Sequence, residues 1–365
     1  MQSAAMATVD QLMRNAVEDH VFPGGVLLVA RNDRIVFFDA YGTANLETRA
    51  PVDTATIFDL ASLTKPLATT VAVMQLVREQ GLDLEARLGS ILPDFTDTDK
   101  ARIRIKHLLR HTSGLPDYFP FFEALQSGSF QRRLALLRQR LVQLPLRQRI
   151  GATALYSDLG FMILGWVVQT LTGRRLDEYV RDAFYTPLGL DGENGDRLCF
   201  VDLDAPIKFE KVAATERCPW RKTVLEGVVH DDNAFVMGGI AGHAGLFGNA
   251  GGVYGLIRSL LKAYQGDDCR GLFEPNLVRR FFEFDSINRR PLGFDAPAAT
   301  DASCGKFFSG HSVGHLGFTG TSFWIDLDKS IAVILLTNRV HPSRTNEKIK
   351  TFRPIVHDAV MEGLV

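Results

Sequence analysis

Strand-like runs stand near both ends of this chain, and a long helical stretch separates them. "GGVLLVARNDRIVFFDAYG" (24–42) is two β-rich runs around the turn Arg31-Asn32-Asp33, the pattern of a hairpin. "TSFWIDLD" (321–328) and "SIAVILLTN" (330–338) are two more, joined by a short polar turn. From about 85 to 235 the periodicity is mostly helical, cut by turns such as "HTSGLP" and "LTGRR". Within it "DLGFMILGWVVQTL" (158–171) is apolar nearly all round, which predicts a buried helix. Helices are also expected over the first ~20 residues, at the carboxyl end, and at "VYGLIRSLLKAY" after the Gly-rich stretch 237–252. A sheet drawn from both termini must close around what lies between. The pattern predicts an α/β (α+β) chain with a discontinuous sheet domain, 1–84 and 250–365, and a mainly helical domain, 85–249. A length of 365 residues suits that organisation.

With 41 basic and 42 acidic side chains, no global field draws the protein to nucleic acid or to an anionic membrane. Arg132 to Arg149 holds six arginines and no acid, but Leu134, Leu137 and Leu141 recur at helical spacing, so the arginines read as a wet face. Cys199, Cys218, Cys269 and Cys304 form no C-x-x-C pair and no disulfide framework. The amino terminus is acidic where a signal peptide needs lysines, and no run reaches the ~18 apolar residues of a membrane span. The expectation is a cytoplasmic protein, or a periplasmic one if a leader has been removed.

The chemistry starts at "FDLASLTKPLATTVAVMQLV" (58–77). Proline is tolerated in a helix only in its first turn, so Pro66 sets the helix start close to Ser62. Leu63, Leu67, Val71, Met74 and Val77 make one stripe, and Gly81 stops the helix. Ser62 then sits at the positive dipole end, and Lys65, three residues on, shares its face. A lysine buried there should lose hydration, fall in pKa and accept the serine proton as a neutral amine. A capping serine beside a solvated lysine would look the same locally.

Two further motifs follow: Tyr156, Ser157 and Asp158 in "LYSDLG", and His315, Leu316 and Gly317 in "GHLGFTGTSFWID". With these the chain resembles the serine β-lactamase and penicillin-binding-protein superfamily, whose elements S-x-x-K, Y-x-N and K-T-G or H-x-G come in this order. It is most similar to the branch of class C β-lactamases, D-alanyl-D-alanine carboxypeptidases and related esterases. The resemblance implies an antiparallel sheet flanked by helices, an all-helical insertion and an active site between them. It implies Ser62 as nucleophile, Lys65 and Tyr156 as shared base and proton shuttle, and the backbone amides of Ser62 and Phe318 as oxyanion hole. Asp158, His315 and Gly317 would contact substrate, Gly317 by leaving room along the strand. No cofactor or metal is implied. No E-x-x-x-N occurs, so deacylation would also fall to Tyr156 and Lys65.

Three positions depart from the family pattern. Asp158 replaces an asparagine, and a carboxylate cannot donate to the amide carbonyl of a peptide or β-lactam side chain. His315 replaces the lysine of many members and is mostly neutral at pH 7, which weakens its grip on a substrate carboxylate. Leu316 replaces a threonine donor to that carboxylate. The expectation is a serine hydrolase acting on small carboxylic esters or amides. The alternatives are a β-lactamase or D-alanyl-D-alanine carboxypeptidase, and an acylated sensor that does not turn over.

Other motifs carry less. "GHSVG" (310–314) fits the G-x-S-x-G elbow at Ser312, but the strand–turn–helix context and a later acid and histidine are missing. His107 and His111 in "HLLRH" have zinc-helix spacing without the H-E-x-x-H glutamate, so core and capping roles are expected. The loop "VVHDDNA", with His230 and Asp232, reads equally as pocket wall or structural hydrogen-bonding loop.

Overall fold

The computed structural model describes residues 2–267, 271–286 and 288–364, with side chains from Met6 onward. Strands β1 (Gly24–Arg31), β2 (Arg34–Asn45) and β3 (Ala50–Pro51) come from the amino end. Then follow β4 (Phe58–Asp59), β5 (Leu198–Phe200), β6 (Ala214–Cys218), β7 (Thr223–Glu226) and β8 (Leu246–Gly248). The last three are β9 (Ser312–Leu316), β10 (Ser322–Asp326) and β11 (Ile331–Thr337). Six of them form one antiparallel sheet in the order β3-β2-β1-β11-β10-β9. The two chain ends meet in its middle, where Leu28 of β1 faces Ile334 of β11.

Both faces of these central strands are covered. Val26, Leu28 and Ala30 face a large core shared with the helical part, while Leu27 and Val29 face a second core. The second core lies under the packed terminal helices Gln2–Glu18 and Ile349–Leu364. That is why β1 and β11 are near-continuous apolar runs rather than alternating ones. The turn between β1 and β2 is Asn32-Asp33, both with positive φ (48° and 64°), which asparagine and aspartate tolerate best.

Helix Asp158–Thr172 is buried from Leu159 to Val168, as its composition predicts. The arginine-rich helix Phe130–Gln143 buries Leu137 and Leu141, and Arg138 pairs with Asp94. Strands β5 to β8 lie in regions that read as helical or Gly-rich, and with β4 they make two small sheets, β4-β8-β5 and β6-β7. Strands β5 to β8 are three to five residues long, too short for an alternation to show. Cys199, Cys218 and Cys304 are free thiols, and Cys269 lies outside the described residues. No described helix is long and apolar enough to cross a membrane.

Candidate active site

The backbone is forced into shape just before Ser62. Ala61 has φ 48°, a costly value for a residue with a Cβ. The buried Asp59 carboxylate holds that bend by accepting from the Ala61 amide (2.8 Å) and the His230 amide (2.6 Å). A tight turn over Ala61–Leu63 runs into a wide, π-type turn over Lys65–Thr70, and regular α-helix starts only at Val71. Widened turns of this kind recur at functional sites, and this one points the Lys65 side chain back at Ser62.

Lys65 is fully buried. Its Nζ donates to Ser62 Oγ (2.9 Å) and to the His243 carbonyl (3.0 Å), and pairs with Asp158 Oδ1 (2.8 Å). Ser62, the His243 carbonyl and Asp158, with the Tyr156 oxygen beside them, surround the amine with acceptors, and the three N–H donors of an ammonium suit that set. Burial pushes its pKa down, but the Asp158 carboxylate and the Tyr156 oxygen outweigh burial and hold it above the ordinary lysine value. The expected neutral amine is therefore wrong for the resting site, because the aspartate at 158 stabilises the charge.

Tyr156 hydrogen-bonds Lys65 and Ser62, and burial raises its phenol pKa against the opposing pull of Lys65. Its ring is braced by His111 (centroids 4.6 Å apart) and His315 (6.0 Å). Asp158 opens the helix behind Ser157, whose hydroxyl caps Gly160 N. The Asp158 side chain is one-fifth exposed, so one edge still faces solvent.

His315 is 1% exposed, with Nδ1 2.9 Å from the Leu316 carbonyl, and burial lowers its pKa to about 4. A neutral ring is as expected, but it sits against Tyr156 instead of standing open to a substrate carboxylate. Gly317 has a packing role in the fold: a Cβ there would lie 2.0 Å from Thr321 Oγ1 and 2.7 Å from the Leu60 carbonyl oxygen. Glycine is required so that the β9–β10 turn can press against the chain entering Ser62. Thr319 and Thr321 complete that contact, donating to the carbonyls of Asp59 (2.7 Å) and Leu60 (3.1 Å). Phe318 lies half exposed beside it.

Ser312 is fully buried within β9. His107 Nδ1 accepts the Arg104 amide (3.1 Å), a capping role. His111 is buried, holds the Ser157 amide on Nδ1 (3.0 Å), and is kept neutral by burial. No metal-competent cluster occurs among the described residues. In the 228–234 loop, His230 meets Glu216 (3.2 Å) and stacks on Phe318 (5.6 Å). Asp232 accepts from Trp220 Nε1 (2.9 Å) and Arg221 (2.6 Å), so the loop is a hydrogen-bonded wall.

Sequence reading missed Asp59 and the His243 carbonyl, both of which hold the site. Asp59 had a signal, an acid in an apolar run just before Ser62, whereas a backbone carbonyl has none.

The Beta-lactamase family model matches residues 9–353. The chain is 33% identical to the "N-acetylmuramyl-L-alanine amidase" of Bacillus subtilis (strain 168), over 91% of this chain and 80% of that protein. It is 31% identical to a "Putative D-alanyl-D-alanine carboxypeptidase" of Escherichia coli (strain K12), over 88% and 79%. Its fold matches "EstCE1, a hydrolase with promiscuous acyltransferase activity", at TM-score 0.74 and 22% identity over 99% of each chain. This chain belongs to the Beta-lactamase family and is a serine hydrolase of that family.

Proposed function

We propose that the protein cleaves ester or amide bonds through an acyl-enzyme on Ser62, and that it prefers small carboxylic esters to β-lactams and D-Ala-D-Ala peptides. The Lys65–Asp158 pair carries this reading. Asp158 has no N–H to offer an acylamino carbonyl, and one of its oxygens is committed to Lys65. The neutral, buried His315 supplies no cation for a substrate carboxylate. Ser62 Oγ attacks the carbonyl carbon, the amides of Ser62 and Phe318 receive the developing oxyanion, and Tyr156 passes the serine proton to the leaving group. Water then attacks the acyl-enzyme and the same groups return the proton. Lys65 must shed a proton before it can help as a base, so the rate should rise with pH.

A second reading is favoured by the 33% identical amidase: the amide of an N-acetylmuramyl-L-alanine unit. The carbon next to the scissile carbonyl in that unit bears an ether oxygen in place of an acylamino group, which suits Asp158 as well.

Intact mass after fluorophosphonate treatment, for the native protein and for Ser62→Ala and Ser312→Ala, tests the nucleophile. Only Ser62→Ala should escape labelling. kcat/KM for p-nitrophenyl butyrate, nitrocefin and N-acetylmuramyl-L-alanine then ranks the substrates. A clear nitrocefin preference overturns the ester reading, and an acyl adduct that persists for hours would make the protein a sensor.

A further inference from the structure

Residues 317–321 join β9 to β10 and carry the Phe318 amide. Gly317 N donates to the Thr321 carbonyl (2.7 Å) and Gly320 N to the Gly317 carbonyl (3.1 Å), which closes the turn. Two guanidinium groups approach it from behind. Arg353, from helix Ile349–Leu364, donates through Nη2 to the carbonyls of Gly317 (3.2 Å) and Thr321 (2.9 Å). Arg339 donates to the Phe318 carbonyl through Nε (2.9 Å) and Nη2 (2.5 Å), and its guanidinium lies 4.7 Å from the Phe318 ring centroid. Nη1 of Arg339 is tied to the carbonyls of Arg344 (3.0 Å) and Asn346 (2.6 Å).

Arg353 is 6% exposed and has no carboxylate partner among the described residues. Burying an unpaired cation is expensive, and a tie between a helix and a turn could be made by apolar groups at lower cost. What the charge does here follows from peptide geometry. The Gly317 carbonyl and the Phe318 N–H belong to one planar unit and point to opposite edges of it. Fixing the oxygen fixes the direction of the N–H, and a charged donor on the oxygen polarises the amide so that its N–H donates more strongly. Arg339 fixes the next peptide plane through the Phe318 carbonyl, so both planes flanking the Phe318 Cα are held. Both arginines are themselves buried, 6% exposed each.

We propose that Arg353, supported by Arg339, is a positioning residue that aims and polarises the Phe318 amide for the developing oxyanion. The inference rests on the reading of Ser62 and Phe318 given under the proposed function.

The test compares an oxygen ester with its thionoester, because an oxyanion hole aligned for oxygen stabilises sulfur poorly. Rates are expressed per active site titrated with fluorophosphonate, so lost folded protein does not count. Arg353→Met should lower kcat/KM for the oxygen ester by roughly 10- to 100-fold, in the range of a weakened oxyanion donor. The thionoester should fall less, so the ester-to-thionoester ratio shrinks by about threefold or more. Arg353→Lys, which keeps charge without the planar fork, should fall between. If Arg353→Met yields no folded protein, the lysine variant decides by the same ratio. An unchanged ratio, with both substrates unaffected or both slowed equally, overturns the inference and leaves Arg353 a structural tie. Failure of fluorophosphonate to label Ser62 in the native protein would instead overturn the functional reading itself.

Discussion

Lys65 Nζ stands 2.8 Å from Asp158 Oδ1 and 2.9 Å from Ser62 Oγ, so one ammonium links the nucleophile to a carboxylate. The carboxylate keeps the lysine charged against the pull of burial. In Asp158→Asn the burial contribution is left less opposed, and the lysine pKa must fall. The rising limb of kcat/KM against pH, measured with an ester, should therefore move to lower pH by about one unit or more, since an opposite charge at this range shifts a pKa by about 1–3 units. Nitrocefin hydrolysis should rise in the same variant, because the amide supplies the missing donor. A limb that stays in place would show that Lys65 does not govern the rate.

The turn at Gly317 offers a steric test. A Cβ would meet Thr321 Oγ1 at 2.0 Å, which can be removed by mutation, and the Leu60 carbonyl at 2.7 Å, which cannot. Gly317→Ala should reduce ester kcat/KM by at least ~10-fold, in keeping with the cost of a misplaced oxyanion donor. It should also lower Tm. Adding Thr321→Ala should restore only part of either loss. Full activity in the single variant would mean that the turn is not set by this contact.

The order of the motifs and the both-ends sheet were readable because they rest on local chemistry and periodicity. Ser62 and Lys65 announce themselves by spacing and by Pro66, Tyr156 by the family resemblance of its motif, and β1 and β11 by their apolar runs. The charge state of Lys65 was not readable, since it depends on Asp158 lying 2.8 Å away after a separation of ninety-three residues. The same holds for Arg353, whose partners are backbone carbonyls with no signature in the sequence. The wide turn over Lys65–Thr70 also escaped, because the stripe Leu63, Leu67 and Val71 fits an ordinary α-helix equally well.

Buried neutral histidines make stability depend on acid. His315 and His357 are each held down to about 4 by burial, against about 6.5 in an unfolded chain. Between those values the unfolded state binds the extra protons, so stability present above pH 6.5 is lost as pH falls toward 4. Each histidine contributes up to about 3 kcal/mol to that loss. Tm followed from pH 7.5 to 4.5 should drop steeply, and His357→Gln should flatten the curve relative to the native protein. A flat native curve would refute the assignment.

His111 has two jobs that substitutions can separate. Its ring packs against Tyr156 at 4.6 Å, tilted by 30°, and its Nδ1 accepts the Ser157 amide at 3.0 Å. It does this from φ 58°, a conformation that asparagine tolerates. His111→Phe keeps a ring against Tyr156 but orphans a buried N–H, which should cost about 1–3 kcal/mol of stability. Its turnover per titrated site should stay near native. His111→Asn keeps the backbone angle and a polar group but removes the ring, so Tyr156 loses its brace and kcat should fall about tenfold, a typical loss for impaired proton transfer. KM should change little, because His111 and Ser157 are both buried. If His111→Phe lost turnover as severely as His111→Asn, the ring contact would not be what positions the phenol, and the Ser157 amide would be the link that matters.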